Sequence, residues 1–241
     1  MSRLVRLSPW GRLVAVSALL VVGSAIALAI ARVASGQERL ATYAVRGSLN
    51  GVALDLGDGD VVVAGGGARA DVAVERTDRF TFGHAATVRR SVRDGVFRVR
   101  SRCPETVLHS CSVRYRLVVP DNVPVEVRTG SGTVRFSGYR GSGSVRTRSG
   151  DVRIQGYCGF SLQARSDSGD IDADAACAPQ QLALRSMSGD VRAVVPHGRY
   201  RVDADSASGH AVVRGVRAVQ DGPFSLDASS SSGDVTVEGG G

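Results

Sequence analysis

The chain has 241 residues, of which 43% are hydrophobic and 5% aromatic, and carries 30 basic against 23 acidic side chains for a net charge of +7. Every basic residue is arginine, and four of the seven excess charges lie in residues 1–36, which hold no acid; the remaining +3 gives no electrostatic footprint for nucleic acid. The single Trp stands at position 10, before the body of the chain, so a sugar platform has too few rings and a carbohydrate-active enzyme is disfavoured.

Residues 1–12 form a basic tail containing Arg3, Arg6 and Arg12. Leu13 to Ala31 then run for 19 residues without a charge, about 28 Å as a helix against a hydrocarbon core of about 30 Å. A transmembrane helix or signal anchor is expected over 13–33, with the upstream arginines keeping the N-terminus cytoplasmic and the rest of the chain extracytoplasmic. The alternative is a signal peptide, whose apolar stretch is normally shorter, cut near Ala31 or Ala34 to release a secreted protein. Residues 34–44 read as a linker.

Over residues 45–238 one phrase recurs: apolar-x-apolar, a glycine, then apolar-x-apolar. The glycines are Gly59, Gly132, Gly150, Gly169, Gly189, Gly209 and Gly233, and from Gly132 onward they are spaced by 18, 19, 20, 20 and 24 residues. Positions seven and five before the glycine and two and four after it are apolar in every copy, Gly143 being the exception. Residues two apart on a strand share a face, so each copy makes two short strands with one apolar side apiece. The phase shifts at the glycine, which predicts a bulge or turn served by positive φ, with the preceding Ser and following Asp bonding local turn amides. One copy buries too little to offset the entropy of ordering it, so copies must stack. The expected fold is all-β, a β-solenoid of ~20-residue coils with parallel strands in register; an antiparallel sandwich of the same strands is the alternative.

Residues 64–124 depart from the repeat. Gly65-Gly66-Gly67 opens a loop, and 71–76, 86–92, 96–102 and 113–119 read as strands of a β-meander inserted between the first copy and the other six, or as a wider coil. Asp94-Gly95 is its hairpin turn. The glycines at 239–241 read as a disordered tail.

Cys158 and Cys177 each lie eight residues after a repeat glycine. Parallel neighbours sit about 4.8 Å apart, within the Cα separation a disulfide needs, so a Cys158–Cys177 cross-link between adjacent coils is expected. Cys103 and Cys111 flank seven residues and would staple a hairpin tip. Free thiols or a metal site compete, but there is no CxxC and the four His are scattered. Calcium repeats need several carboxylates every nine residues, where this chain offers one Asp per coil. No metal or cofactor is therefore expected.

Four residues before the glycines stand Arg128, Arg146, Arg165 and Arg185, all outward, and three residues after stand Arg135, Arg153 and Arg192. Stacked coils would align them into two short ladders, either attracting an anionic cell-wall polymer or lipid head groups, or pairing with Asp151, Asp170, Asp172 and Asp190 as an ordinary solvated face. No GxSxG, GxGxxG, HExxH or phosphate-loop pattern is present, so no catalytic residue is assigned.

The runs Thr129-Gly130-Ser131-Gly132-Thr133-Val134, Ser149-Gly150-Asp151-Val152, Ser168-Gly169-Asp170-Ile171 and Ser188-Gly189-Asp190-Val191 resemble the bacterial "putative adhesin" β-strand-repeat family of unknown function. Leu117-Val118-Val119-Pro120 and Val125-Glu126-Val127 lead into them. The resemblance spans roughly residues 45–238 and implies a β-solenoid on envelope or membrane-anchored proteins, some associated with envelope-stress responses, with no site residues to carry over. The expected function is a membrane-anchored structural or binding module of the cell envelope, its partners the membrane and an anionic wall polymer or an envelope protein. The alternatives are an accessory or sensor domain working through a membrane partner and, third, a carbohydrate-active enzyme.

Overall fold

The computed structural model describes residues 10, 17–26, 28, 36–81, 84–104 and 110–240. Residues 17–26 are helical. Most of the rest of the expected 13–33 span, and the basic tail apart from Trp10, lie outside the described residues. Among those described, no helix is long and apolar enough to cross a membrane.

The chain enters its β-structure at β1 (Gln37–Val45), so the expected linker holds a strand. It continues through β2 (Gly51–Gly65), β3 (Val72–Phe80), β4 (Thr87–Arg93), β5 (Val96–Arg102) and β6 (Cys111–Val119). The repeats follow as strand pairs. These are β7 (Val125–Ser131) with β8 (Val134–Ser137), β9 (Gly143–Ser149) with β10 (Val152–Tyr157), β11 (Ser161–Ser168) with β12 (Ile171–Ala175), and β13 (Gln181–Ser188) with β14 (Val191–Val195). The last are β15 (Arg199–Ser206) with β16 (Ala211–Arg214), a two-residue β17 (Arg217–Ala218), and β18 (Phe224–Ser232) with β19 (Val235–Gly239).

Strands before the glycines build sheet B and strands after them sheet A. Register is slot on slot: Val152 pairs with Val134 and Ile171, and Leu162 with Gly143 and Leu182. The alternation of apolar and polar residues therefore turns one side of each sheet inward, and the two inner faces share one core running through the stack. Gly143 interrupts the apolar slot because the δ-methyl of Leu162 lies 2.5 Å from where its Cβ would be, with Phe136 behind it.

Two findings concern order. The segment 64–124 is interposed in sequence and leaves the copies on either side of it adjacent in space, β2 pairing directly with β7 and β8. Within it β5 and β6 make a rung on the outer side of β2, and the Cys103–Cys111 disulfide lies between these two strands. Beyond that rung β3 adds antiparallel to β6 and β1 antiparallel to β3, and β4 adds antiparallel to β5 through the Asp94-Gly95 turn, whose φ values of 54° and 72° suit a type I′ hairpin. At the other end, β18 and β19 lie between β13/β14 and β15/β16, so the last copy in sequence is next to last in space. Gly239 belongs to β19 and the Gly240 N–H reaches the Val195 carbonyl at 2.8 Å, so the expected disordered tail is ordered to residue 240.

Five of the seven glycines answer a need other than the one expected. Gly59 and Gly132 have the expected positive φ, +156° and +105°, but Gly150, Gly169, Gly189, Gly209 and Gly233 do not. They permit close stacking: a Cβ at Gly150 would lie 2.1 Å from the Gly132 carbonyl oxygen, and one at Gly233 2.3 Å from that of Gly189. Three residues before five of the glycines a hydroxyl donates to the same carbonyl in the neighbouring rung, as Ser186 to Gly169 (2.9 Å), Ser230 to Gly189 (2.8 Å) and Ser206 to Gly233 (2.6 Å), whereas Leu56 holds this place before Gly59 and the Thr147 hydroxyl before Gly150 has no partner among the described residues. The Asp after the glycine also reaches across. Asp170 accepts from the Asp190 N–H, Asp190 from Asp234 and Asp234 from His210, at 2.8–2.9 Å. The carboxylates thus bond rung to rung, not within their own turns.

Candidate functional site

Position four before the glycine faces solvent on sheet B, and parallel register places its occupants side by side. Arg128 is opposite Arg146, Arg146 opposite Arg165, and Arg165 opposite Arg185, at the ~4.8 Å step of a sheet. The ends of this row are neutralised, Arg128 by Glu126 (2.6 Å) and Arg185 by Asp227 (2.6 Å). Arg146 and Arg165 are exposed and make no ion pair among the described residues. Four adjacent guanidiniums repel one another, so the row favours an incoming anion.

The row expected on sheet A does not form. Arg135 is opposite Arg153, but Asp172 occupies the next slot before Arg192. Arg153 pairs with Asp151 at 3.3 Å, and Arg192 with Glu238 at 2.7 Å and Asp172 at 3.7 Å. That face is charge-alternating. Asp170 and Asp190, expected as partners for arginine, are engaged with backbone instead.

The four cysteines are paired as expected. Cys158–Cys177 bridges two adjacent rungs with Cα atoms 4.7 Å apart, and Cys103–Cys111 closes its loop at 5.7 Å.

A family model described as Toastrack DUF4097 matches residues 49–238, the β-structure from the approach to β2 into β19. The chain belongs to the Toastrack family. No curated protein matches it. Among solved structures this Toastrack chain is similar to a "putative cell adhesion protein" from Clostridium sporogenes, at 11% identity and a TM-score of 0.47 over 85% of this chain and 100% of that one. It is also similar to a "putative adhesin" from Bacteroides fragilis, at 14% identity and 0.42 over 83% and 97%. A third is a "putative lipid binding protein" from Parabacteroides distasonis, at 9% and 0.28 over 84% and 97%.

The Toastrack rungs place more arginine on sheet B than the repeat slots alone suggest. On the far side of β2 the outward positions of β4 and β5 continue the face, with Arg89 opposite Arg100 and Ser91 opposite Arg98. Together β4, β5, β2 and β7 line a concavity of about 990 Å³ that contains Arg89, Arg98, Arg100 and Arg128. Asp55 sits within it, held by Arg100 at 3.0 Å and Arg102 at 2.7 Å. Burial alone would raise the Asp55 pKa, but the hydrogen bonds and charges of Arg102 and Arg100 outweigh it and hold the carboxyl below its ordinary value. Arg89, Arg98 and Arg100 escape sequence reasoning because they lie outside the repeat. The alternation Arg98-x-Arg100-x-Arg102 in a strand was the available signal.

A second polar cluster is internal. Between β3, β5 and β6, Asp78 is 1% exposed and ion-paired to Arg76, beside Ser101 and Tyr115. Asp78 Oδ1, Arg76 Nε and the Oη of Tyr43 on β1 are buried without a hydrogen-bond partner among the described residues, and the Ser101 and Tyr115 hydroxyls face each other. Burial pushes the Tyr115 hydroxyl up to about 12. With no opening described, the cluster reads as part of the packing of the N-terminal cap.

Proposed function

We propose that this Toastrack chain is an extracytoplasmic, membrane-anchored β-solenoid serving as a structural or binding, adhesin-like, module of the cell envelope. The 13–33 segment is its anchor, the N-terminus is cytoplasmic, and the outer face of sheet B is the surface turned to envelope components. The observation that carries the reading is the pair of disulfides: all four cysteines are consumed, one pair across rungs, and such bonds persist in oxidising compartments and not in the cytosol. The uncharged run Leu13 to Ala31 supports the anchor.

The test is topology. Membranes from expressing cells are washed with alkaline carbonate, and intact spheroplasts are treated with protease. The expected result is retention in the pellet and digestion of the solenoid from outside. A cytosolic chain with four free thiols overturns the proposal, and a chain recovered in the medium overturns the anchor.

A further inference from the structure

We infer that the outer face of sheet B, from the β4–β7 concavity across to Arg185, is a binding site for a linear, phosphate-bearing polyanion; this rests on reading the solenoid as an envelope-binding module and names what it binds. The face is one-dimensional. From β5 through β2, β7, β9 and β11 to β13 the row covers about 24 Å at ~4.8 Å per strand. Its arginines point the same way at every step except Asp55. Arg146 and Arg165, in the middle, have no counter-ion among the described residues. A guanidinium offers a planar fork of donors to the two free oxygens of a phosphodiester, and a polymer with regular anionic groups can satisfy several forks in succession.

The composition of the face selects among polyanions. Outward positions on β4, β5, β7, β9, β11 and β13 hold no aromatic ring. A single-stranded nucleic acid or a uronic acid polymer therefore finds nothing to stack on, and contact is confined to the charged backbone. A bilayer is also a poor fit. The arginines at β4–β7 line a hollow, which a flexible chain can enter and a flat surface of head groups meets only at its rim. Asp55 acts as an internal competitor, occupying Arg100 and Arg102 until an anion displaces it.

The experiment measures binding of the full chain, in non-ionic detergent, to long-chain inorganic polyphosphate across a salt series. Arg146→Gln/Arg165→Gln should weaken binding by roughly 25-fold, about fivefold per guanidinium, and flatten its salt dependence. Asp55→Asn should tighten it, and Arg135→Gln, which removes one charge from sheet A, should leave it unchanged. Peptide mapping of the Cys158–Cys177 cross-link in each variant reports that the rungs have assembled. The inference is overturned if the double variant binds as well as the parent, if Arg135→Gln weakens binding equally, or if polygalacturonate competes as well as polyphosphate. Binding only to phosphatidylglycerol vesicles overturns it too. Because binding is read on purified chain, loss of the topology result leaves this site standing, and loss of arginine-dependent binding leaves the topology standing.

Discussion

At the scale of single residues, each rung is held by groups that act on the next rung. Gly169 is required by the Gly150 carbonyl, which would lie 2.4 Å from any Cβ placed there. Gly169→Ala should part the rungs and destabilise the protein by at least about 3 kcal/mol, the upper range for overpacking, read as a lowered urea midpoint. Departures from the Asp slot also have local meaning. His210 stands in the last rung of the stack, where no further N–H waits for a carboxylate. The internal Arg76–Asp78 pair makes a different prediction. Asp78→Ala strands a half-buried guanidinium and should cost about 3 kcal/mol, the low end for a buried pair, whereas Arg76→Met/Asp78→Leu, which removes both charges, should cost much less. Thermal melts of the two variants check the ordering, and equal losses would mean the pair is not buried as described.

At the scale of strands and rungs, the slot arithmetic made the sheet register and the Cys158–Cys177 bridge legible, because a period near 20 in sequence becomes one strand spacing in space. The bridge closes a loop of 19 residues, and Cys158→Ser/Cys177→Ser should lose about 3 kcal/mol in the chain-entropy account, measured by denaturant unfolding without reductant. The stacking order was not legible. Leu226, Ala228, Val235 and Val237 fill the same slots as Val202, Ala204, Ala211 and Val213, so apolar pattern alone cannot say which copy adjoins β13. Burial separates them: Val235 and Val237 are fully buried, whereas Val213 is 42% exposed. The Arg185–Asp227 pair exists only in the observed order. Likewise the arginine row followed from the repeat, but the concavity beside it depends on the β4–β5 hairpin, whose antiparallel placement no repeat announces.

At the scale of the molecule, the two ends of the stack differ. The N-terminal end is closed by antiparallel β1, β3 and β4, while the C-terminal end finishes in a rung whose inward residues are partly open. Truncation after residue 218 removes β18 and β19, and with them the strands that join β15 and β16 to the rest. Hydrogen exchange should therefore show protection lost over 199–214 as well; retained protection there would contradict the observed order. Both outermost rungs come from inside the chain, β5/β6 after β2 and β15/β16 before β18/β19. The carboxyl-terminal strand is thereby clamped by a ladder on each side, so an exopeptidase or a tug on the last residues cannot unzip the fold from a loose edge and must shear two seams at once.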